Sequence, residues 1–354
     1  MQRLSPERLM GIALAGSVVV LIGVLVVGFG AGALESGAAT ASPAATSPAP
    51  ATADATLVPG PTVSVAPSAT FTPWATPTPA PTPTPPPQLP ALLGAIGDSY
   101  TQAWSVSPSY KQDHPQFSWA VGYAKGDGVF SLQERFNALG NKLGIMDAAT
   151  SGRKMNDAAR QAGIVVAAAK QLPAGSTAFV TFELGTNDLC DFTMTNPTAF
   201  ETQLRAATTI LRAGLPAGSR ILMLSVPDLN HFYAITQANA TAKSALGSRY
   251  LNAVCPPFLG TAATHTLAQA STTLASYNNI LYKVCDEIEV ADGASDKLHC
   301  RHDEAGLSER DFVIGDLSTA DYFHPSLTGQ AKMAAAAWKA SWWSSMPLPA
   351  GAAY

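Results

Sequence analysis

Charge is scarce in this chain. Only 13% of its 354 residues are Asp, Glu, Lys or Arg, the net charge is −4, and the basic residues form no cluster. A nucleic-acid partner needs a basic footprint, so none is expected. Cysteine is nearly as scarce. There are four, with no Cys-x-x-Cys pair among them, so the usual zinc-knuckle spacing is missing. No internal repeat is present, which leaves no basis for a repeat architecture. One stretch, residues 9–34, has no charged residue at all.

That stretch is 26 residues of Val, Leu, Ile, Gly, Ala, Phe and Met with one Ser. A bilayer core needs about 20 apolar residues, so the segment is long enough to span one. Arg3 and Arg8 precede it, which puts residues 1–8 on the cytoplasmic side of a signal-anchor at 9–34. The rival reading is a signal peptide cut at Ala31-Gly32-Ala33 or Ala39-Thr40-Ala41. An ordinary signal core is shorter, about 7–15 residues. On the first reading the chain is a single-pass membrane protein with its domain outside the cytoplasm; on the second it is secreted. Gly28-Phe29-Gly30 with Gly32 has no strand–turn–helix around it, so it reads as membrane-helix glycine rather than a nucleotide loop.

Residues 35–90 change composition completely. Ala, Thr, Pro and Ser dominate, charge is limited to Glu35 and Asp54, and 15 prolines fall within residues 41–90. Such a segment buries too little apolar surface to offset its ordering entropy. It is expected to be a disordered stalk with polyproline II character, about 3.1 Å per residue where extended. Basic residues of the kind that flank Pro-rich ligands are missing.

Cys190, Cys255, Cys285 and Cys300 all follow the stalk. In an exported domain they suggest two disulfides. Three pairings are possible; Cys190–Cys255 with Cys285–Cys300 is favoured, the second closing a short loop. The alternative is a metal site from His299, Cys300 and His302 with Cys285 upstream.

The expected globular domain is 91–347, with a tail at 348–354. Apolar runs predict strands at 92–96, 145–149, 177–184 and 220–226. Helical spacing predicts helices at 130–143, 155–172, 197–215, 262–288 and 326–342. Alternating strands and helices make an α/β fold with a parallel sheet covered on both faces. Ligands bind outside the carboxyl ends of such strands.

Four motifs carry the chemistry: Gly97-Asp98-Ser99-Tyr100, Ser151-Gly152, Gly185-Thr186-Asn187-Asp188 and Asp321-Tyr322-Phe323-His324. A Ser hydroxyl needs a base in hydrogen-bond reach and an acid orienting that base. Ser99, His324 and Asp321 can supply these, with Asp316 as a second candidate acid. A tetrahedral intermediate needs fixed donors for its oxyanion. The Ser99 and Gly152 N–H groups and the Asn187 amide are the candidates, Gly152 because glycine permits close approach. Asp98 and Asp188 are expected to brace their loops.

These residues resemble the SGNH, or GDSL, hydrolase superfamily, whose name lists Ser, Gly, Asn and His; Ser99, Gly152, Asn187 and His324 match. The resemblance spans residues 93–338. It implies a three-layer α/β/α flavodoxin-like domain, no cofactor and no metal, and ester hydrolysis through an acyl-enzyme. Three stretches look like the phospholipase B-like branch. They are Gly185-Thr186-Asn187-Asp188-Leu189-Cys190, Phe117-Ser118-Trp119 followed by Gly126-Asp127-Gly128, and Asp321-Tyr322-Phe323-His324-Pro325-Ser326. Two departures are Tyr100, where the name-giving motif has Leu, and Ala148-Ala149-Thr150-Ser151-Gly152, which lacks an Asn often seen before that Gly. A Gly-x-Ser-x-Gly elbow is absent, which argues against the ordinary α/β-hydrolase fold.

An exported serine esterase or lipase acting on small-molecule or lipid esters is therefore expected. The alternatives are a carbohydrate esterase that deacetylates surface glycans and a non-enzymatic surface binding module. Tyr100, Trp104, Trp119 and Phe323 either line an acyl or sugar pocket or pack in the core. Nothing in the sequence names a protein partner.

Overall fold

The computed structural model describes residues 86–246, 255, 265–308 and 311–349. The expected membrane span at 9–34, and the stalk up to residue 85, lie outside the described residues. Among the described residues no helix is long and apolar enough to cross a membrane.

Five strands form one sheet: β1 (Leu92–Gly97), β2 (Gly144–Asp147), β3 (Ala178–Glu183), β4 (Ser219–Met223) and β5 (Leu298–His302). All neighbours pair in parallel, in the order β2-β1-β3-β4-β5. Every residue of β1 and β3 is buried. Both read as near-continuous apolar runs for that reason, since helices cover both of their faces. The chain leaves β1 toward β2 on one side and β3 on the other. The direction of winding reverses there, and the ends of β1 and β3 frame a crevice.

The helices are α1 (Leu132–Ala138), α2 (Ala158–Ala169), α3 (Thr186–Leu189), α4 (Pro197–Gly214), α5 (Leu229–Ala238), α6 (Ala240–Leu246), α7 (Leu267–Asp292) and α8 (Leu327–Ala340). Their starts are written locally. Ser131 with Glu134 and Thr266 with Gln269 form capping boxes, and the Asn196 side chain caps α4 ahead of Pro197. Helices α2, α4 and α7 pack side by side, and α2 meets β1 so closely that a side chain at Gly94 would lie 2.6 Å from Val165. On the opposite face Phe136 of α1 meets Phe179 of β3 edge-on at 5.8 Å and Trp338 of α8 at 5.4 Å. Carbonyls of Pro87 and Pro90 accept hydrogen bonds from Trp343 Nε1 and Asn141 Nδ2, so the residues just before β1 are pinned to the domain.

Most expected elements are present with shifted ends; the helix expected at 262–288 runs Leu267–Asp292, and residues 262–264 lie outside the described residues. The strand at 145–149 ends at Asp147, and that at 220–226 ends at Met223. The helix at 155–172 begins with a 3-10 turn at Met155–Asp157. Strand β5 and helices α3, α5 and α6 were not expected. The cysteines pair as Cys190–Cys255 and Cys285–Cys300. Cys300 lies in β5, so the bond ties that edge strand to α7. The alternative metal site fails on its donors, because both its sulfurs are in the disulfide. His299 instead bonds Glu289 and Asp296.

Candidate active site

The site sits where the crevice was framed. Strand β1 ends at Gly97, and Asp98 and Ser99 follow immediately. Gly97 is held through both backbone groups by the Gln161 side chain of α2, at 2.8 Å and 3.0 Å. Ser99 is 5% exposed. Its Oγ lies 2.9 Å from His324 Nε2, although the two residues are 225 positions apart. His324 Nδ1 lies 2.8 Å from Asp321 Oδ2. Asp321 Oδ1 accepts the N–H groups of Phe323 and His324, each at 3.0 Å. Burial pushes the Asp321 carboxyl up, but bonds from His324 and these two N–H groups outweigh it, and the group ends below its ordinary range. It therefore stays ionised beside the ring. The bond at Nδ1 makes that nitrogen the donor and leaves Nε2 as acceptor toward Ser99.

Asp316, the other candidate acid, is elsewhere: Oδ2 takes Lys332 Nζ at 2.6 Å and the Val313 N–H at 2.7 Å.

The Ser151-Gly152 turn follows β2. Thr150 N–H bonds the Gly97 carbonyl at 3.1 Å, pinning the turn to the end of β1. The Ser151 hydroxyl bonds Asp113. Gly152 has φ +76°, and a Cβ there would meet nothing within 4 Å. Left-handed backbone is one reason glycine stands here. Among the described residues neither the Ser99 nor the Gly152 N–H has a protein acceptor.

Asn187 lies in α3, just after β3. Gly185 makes that entry possible, with φ +138° and Val226 2.4 Å from where a Cβ would sit. Asn187 Nδ2 donates to Asp98 Oδ2 at 2.9 Å and to the Arg153 carbonyl at 3.1 Å. The Asn187 amide thus lies between the Ser99 loop and the Gly152 turn. Both its hydrogens are occupied, so donation to a third acceptor requires one bond to give way. The Arg153 bond is the longer and more exposed.

Buried carboxyls support these loops. Asp98 Oδ1 takes the Tyr100 N–H at 3.0 Å, and Asp188 Oδ2 takes the Met155 N–H at 2.8 Å. Burial pushes Asp98 up to about 7, against the pull of the Tyr100 bond and with a further push from Asp188. Burial likewise raises Asp188 to about 6, partly offset by Thr195 and Met155. Glu183, buried at the end of β3, bonds Thr101 Oγ1 at 3.2 Å. Burial first and the Asp98 charge second hold its carboxyl well above the usual range.

Of the four aromatics, Tyr100 and Trp119 are fully buried and Phe323 nearly so. Only Trp104 is partly exposed, its ring 6.5 Å from that of His324. Three glutamines were missed. Gln161 holds Gly97, Gln102 bonds Asp147 and the Ala149 carbonyl, and Gln330 bonds the Trp119 N–H and the Tyr100 carbonyl. A signal existed for two of them. Gln161 lies on the buried face of α2 with Ala158, Ala162 and Val165, and Gln330 on that of α8 with Met333, Ala334 and Ala337. A polar residue in an apolar stripe is paired with something.

Three solved structures share part of the chain path. A psychrotrophic esterase, EstA, from Pseudoalteromonas sp. is 17% identical, with 71% of this chain and 96% of that chain covered and a TM-score of 0.37. A putative arylesterase from Agrobacterium tumefaciens is 16% identical, covering 69% and 95%, at 0.39. A putative GDSL-like lipase from Parabacteroides merdae is 15% identical, covering 73% and 98%, at 0.40. No curated protein matches the chain. The family model for GDSL-like lipase/acylhydrolase matches residues 93–337. That span takes in the Ser99 loop, the Gly152 turn, Asn187, Asp321 and His324, and on it the chain belongs to the GDSL-like lipase/acylhydrolase family, whose members hydrolyse esters.

Proposed function

We propose that this ester hydrolase works through Ser99 as nucleophile, His324 as general base and then acid, and Asp321 as the group that orients the ring. One observation carries the reading: the unbroken line from Ser99 Oγ to His324 Nε2 at 2.9 Å and from His324 Nδ1 to Asp321 at 2.8 Å. As Oγ bonds the acyl carbon, its proton passes to Nε2. The imidazolium is stabilised by the ionised Asp321. The carbonyl oxygen becomes an oxyanion, facing the free N–H groups of Ser99 and Gly152, with Asn187 as third donor. Collapse breaks the bond to the alkoxy oxygen, which takes the proton from Nε2 and leaves as alcohol. Water then gives a proton to Nε2 and attacks the acyl-Ser99 ester; collapse breaks the bond to Oγ, which takes the proton back from Nε2 as the acid leaves.

The substrate class we propose is lipid acyl esters, supported by the phospholipase B-like motifs. We also propose that the domain works outside the cytoplasm, held by the apolar segment at 9–34 and spaced by the stalk. Two disulfides, which persist in oxidising compartments, support export.

The test is a series of nitrophenyl esters of rising chain length, run beside acetylated oligosaccharides on the full chain in detergent. Rates that hold or rise with chain length support the lipid reading. Deacetylation of sugars with no turnover of longer chains rejects it. Ser99→Ala is expected to abolish every activity that depends on the site.

A further inference from the structure

Ser99 and His324 come from opposite ends of the domain, and their own hydrogen bond is a weak means of holding them together. Part of the turn that carries His324 is unfavourable by itself. Tyr322 has φ 53°, a left-handed conformation that a bulky side chain adopts only when its surroundings impose it. Something must fix this turn against the nucleophile loop.

We infer that Tyr100 is a positioning residue for the His324 imidazole, clamping the His324 turn to the Ser99 loop; the inference rests on the roles proposed above. Tyr100 is the residue after Ser99 and is fully buried. Its phenol donates to the Phe323 carbonyl at 3.1 Å, one residue before His324. Its ring meets the His324 ring edge-on at 5.6 Å and the Phe323 ring at 5.7 Å. Its own backbone is fixed at both ends. The N–H goes to Asp98 and the carbonyl takes Gln330 Nε2 at 2.9 Å, from the helix that follows His324. Packing alone would be served by Phe. A buried hydroxyl is costly to place unless bonded, and this one is bonded to the peptide that carries the base. Leu, which the name-giving motif has here, offers neither the hydroxyl nor the ring edge. In this chain the tyrosine supplies a tie between two segments that no local sequence connects.

The test compares Tyr100→Phe, which keeps the ring, with Tyr100→Leu, which removes ring and hydroxyl. Misplacement by about 1 Å costs roughly 100-fold in rate. Tyr100→Phe is therefore expected to lower kcat about 10-fold and Tyr100→Leu about 100-fold, with KM within about twofold of wild type. A second readout does not depend on turnover. The low-field proton resonance of His324 Nδ1–H, assigned by its loss in Asp321→Ala, is expected to be sharp in the wild type and broadened in Tyr100→Phe. An unchanged resonance or an unchanged kcat in Tyr100→Phe overturns the inference. Hydrolysis by Ser99→Ala as fast as wild type would instead sink the parent reading, and in that case the resonance alone decides whether Tyr100 holds the ring.

Discussion

The chain places an aspartate three residues before a histidine at three points, and at two of them the carboxylate meets the ring; at Asp228 and His231 it caps backbone N–H groups instead. Asp296-Lys297-Leu298-His299 and Asp321-Tyr322-Phe323-His324 each place a carboxylate three residues before a histidine, and each pair meets at 2.8 Å. Locally they are alike, yet their settings differ. At the sheet edge His299 Nε2 bonds Asp296, whose side chain is 73% exposed, and Nδ1 bonds Glu289. Both ring nitrogens end on carboxylates, and among the described residues no hydroxyl bonds the ring. At the crevice Asp321 is only 16% exposed, and the second nitrogen of His324 faces the Ser99 hydroxyl. The pattern supplies an oriented imidazole in both places. What makes one of them a base is the group across from it, delivered by the far end of the chain.

Removing each carboxylate is the sharpest way to test that contrast. Asp321→Asn is expected to lower kcat by on the order of 10,000-fold, because the ring loses both its tautomer and its counter-charge. Asp296→Asn is expected to leave kcat within about twofold, since exposed pairs contribute little. Comparable losses from the two would break the comparison. Asn187→Ala is the next largest effect, about 100- to 1,000-fold in kcat if the amide serves the oxyanion. A change confined to thermal stability would make Asn187 a brace between Asp98 and Arg153 and nothing more.

Smaller effects fall on stability. The Cys285–Cys300 bond closes a loop with a sequence separation of 15, and losing it as Cys285→Ala with Cys300→Ala is expected to cost about 3 kcal/mol in denaturant unfolding. Turnover of the folded protein at 25 °C should hardly change, because that bond anchors the edge strand and not the crevice. Smallest is a pH effect. Asp98, raised from 3.8 to about 7 by burial, binds a proton more tightly in the folded protein. Its contribution is complete below its unfolded pKa and is lost as pH rises through about 7. Asp321 runs the other way, since its lowered carboxyl loses its contribution as pH falls. Asp98→Asn is expected to flatten the fall in Tm between pH 3.8 and about pH 7, while Asp296→Asn leaves the wild-type slope. Equal slopes in all three proteins would show that the buried carboxyls beneath Ser99 do not set it.

Much of the crevice was legible because its parts are local. Glycine and acid–histidine spacing mark turns, and the buried strands that lead to them are runs of apolar residues, as in β1 and β3. The edge was not legible for the complementary reason. In β5 only Leu298 and Cys300 are buried, while His299, Arg301 and His302 face outward or sideways. A strand covered on one side and carrying three basic side chains reads as a ligand cluster, and only pairing with β4 makes it a strand. The same limit hid the Tyr100 hydroxyl bond to Phe323, whose partners are 223 residues apart. Gly152 was found for an incomplete reason: its φ, which a sequence does not display, requires the residue.

The central claim is that Ser99 is the activated nucleophile. The most direct measurement is reaction of the full chain with a fluorophosphonate, followed by mass spectrometry of the digested protein. The expected result is one label per chain on Ser99, absent in Ser99→Ala and slowed strongly in His324→Ala. A folded wild-type protein that takes no label, or takes it on another residue, would contradict the claim.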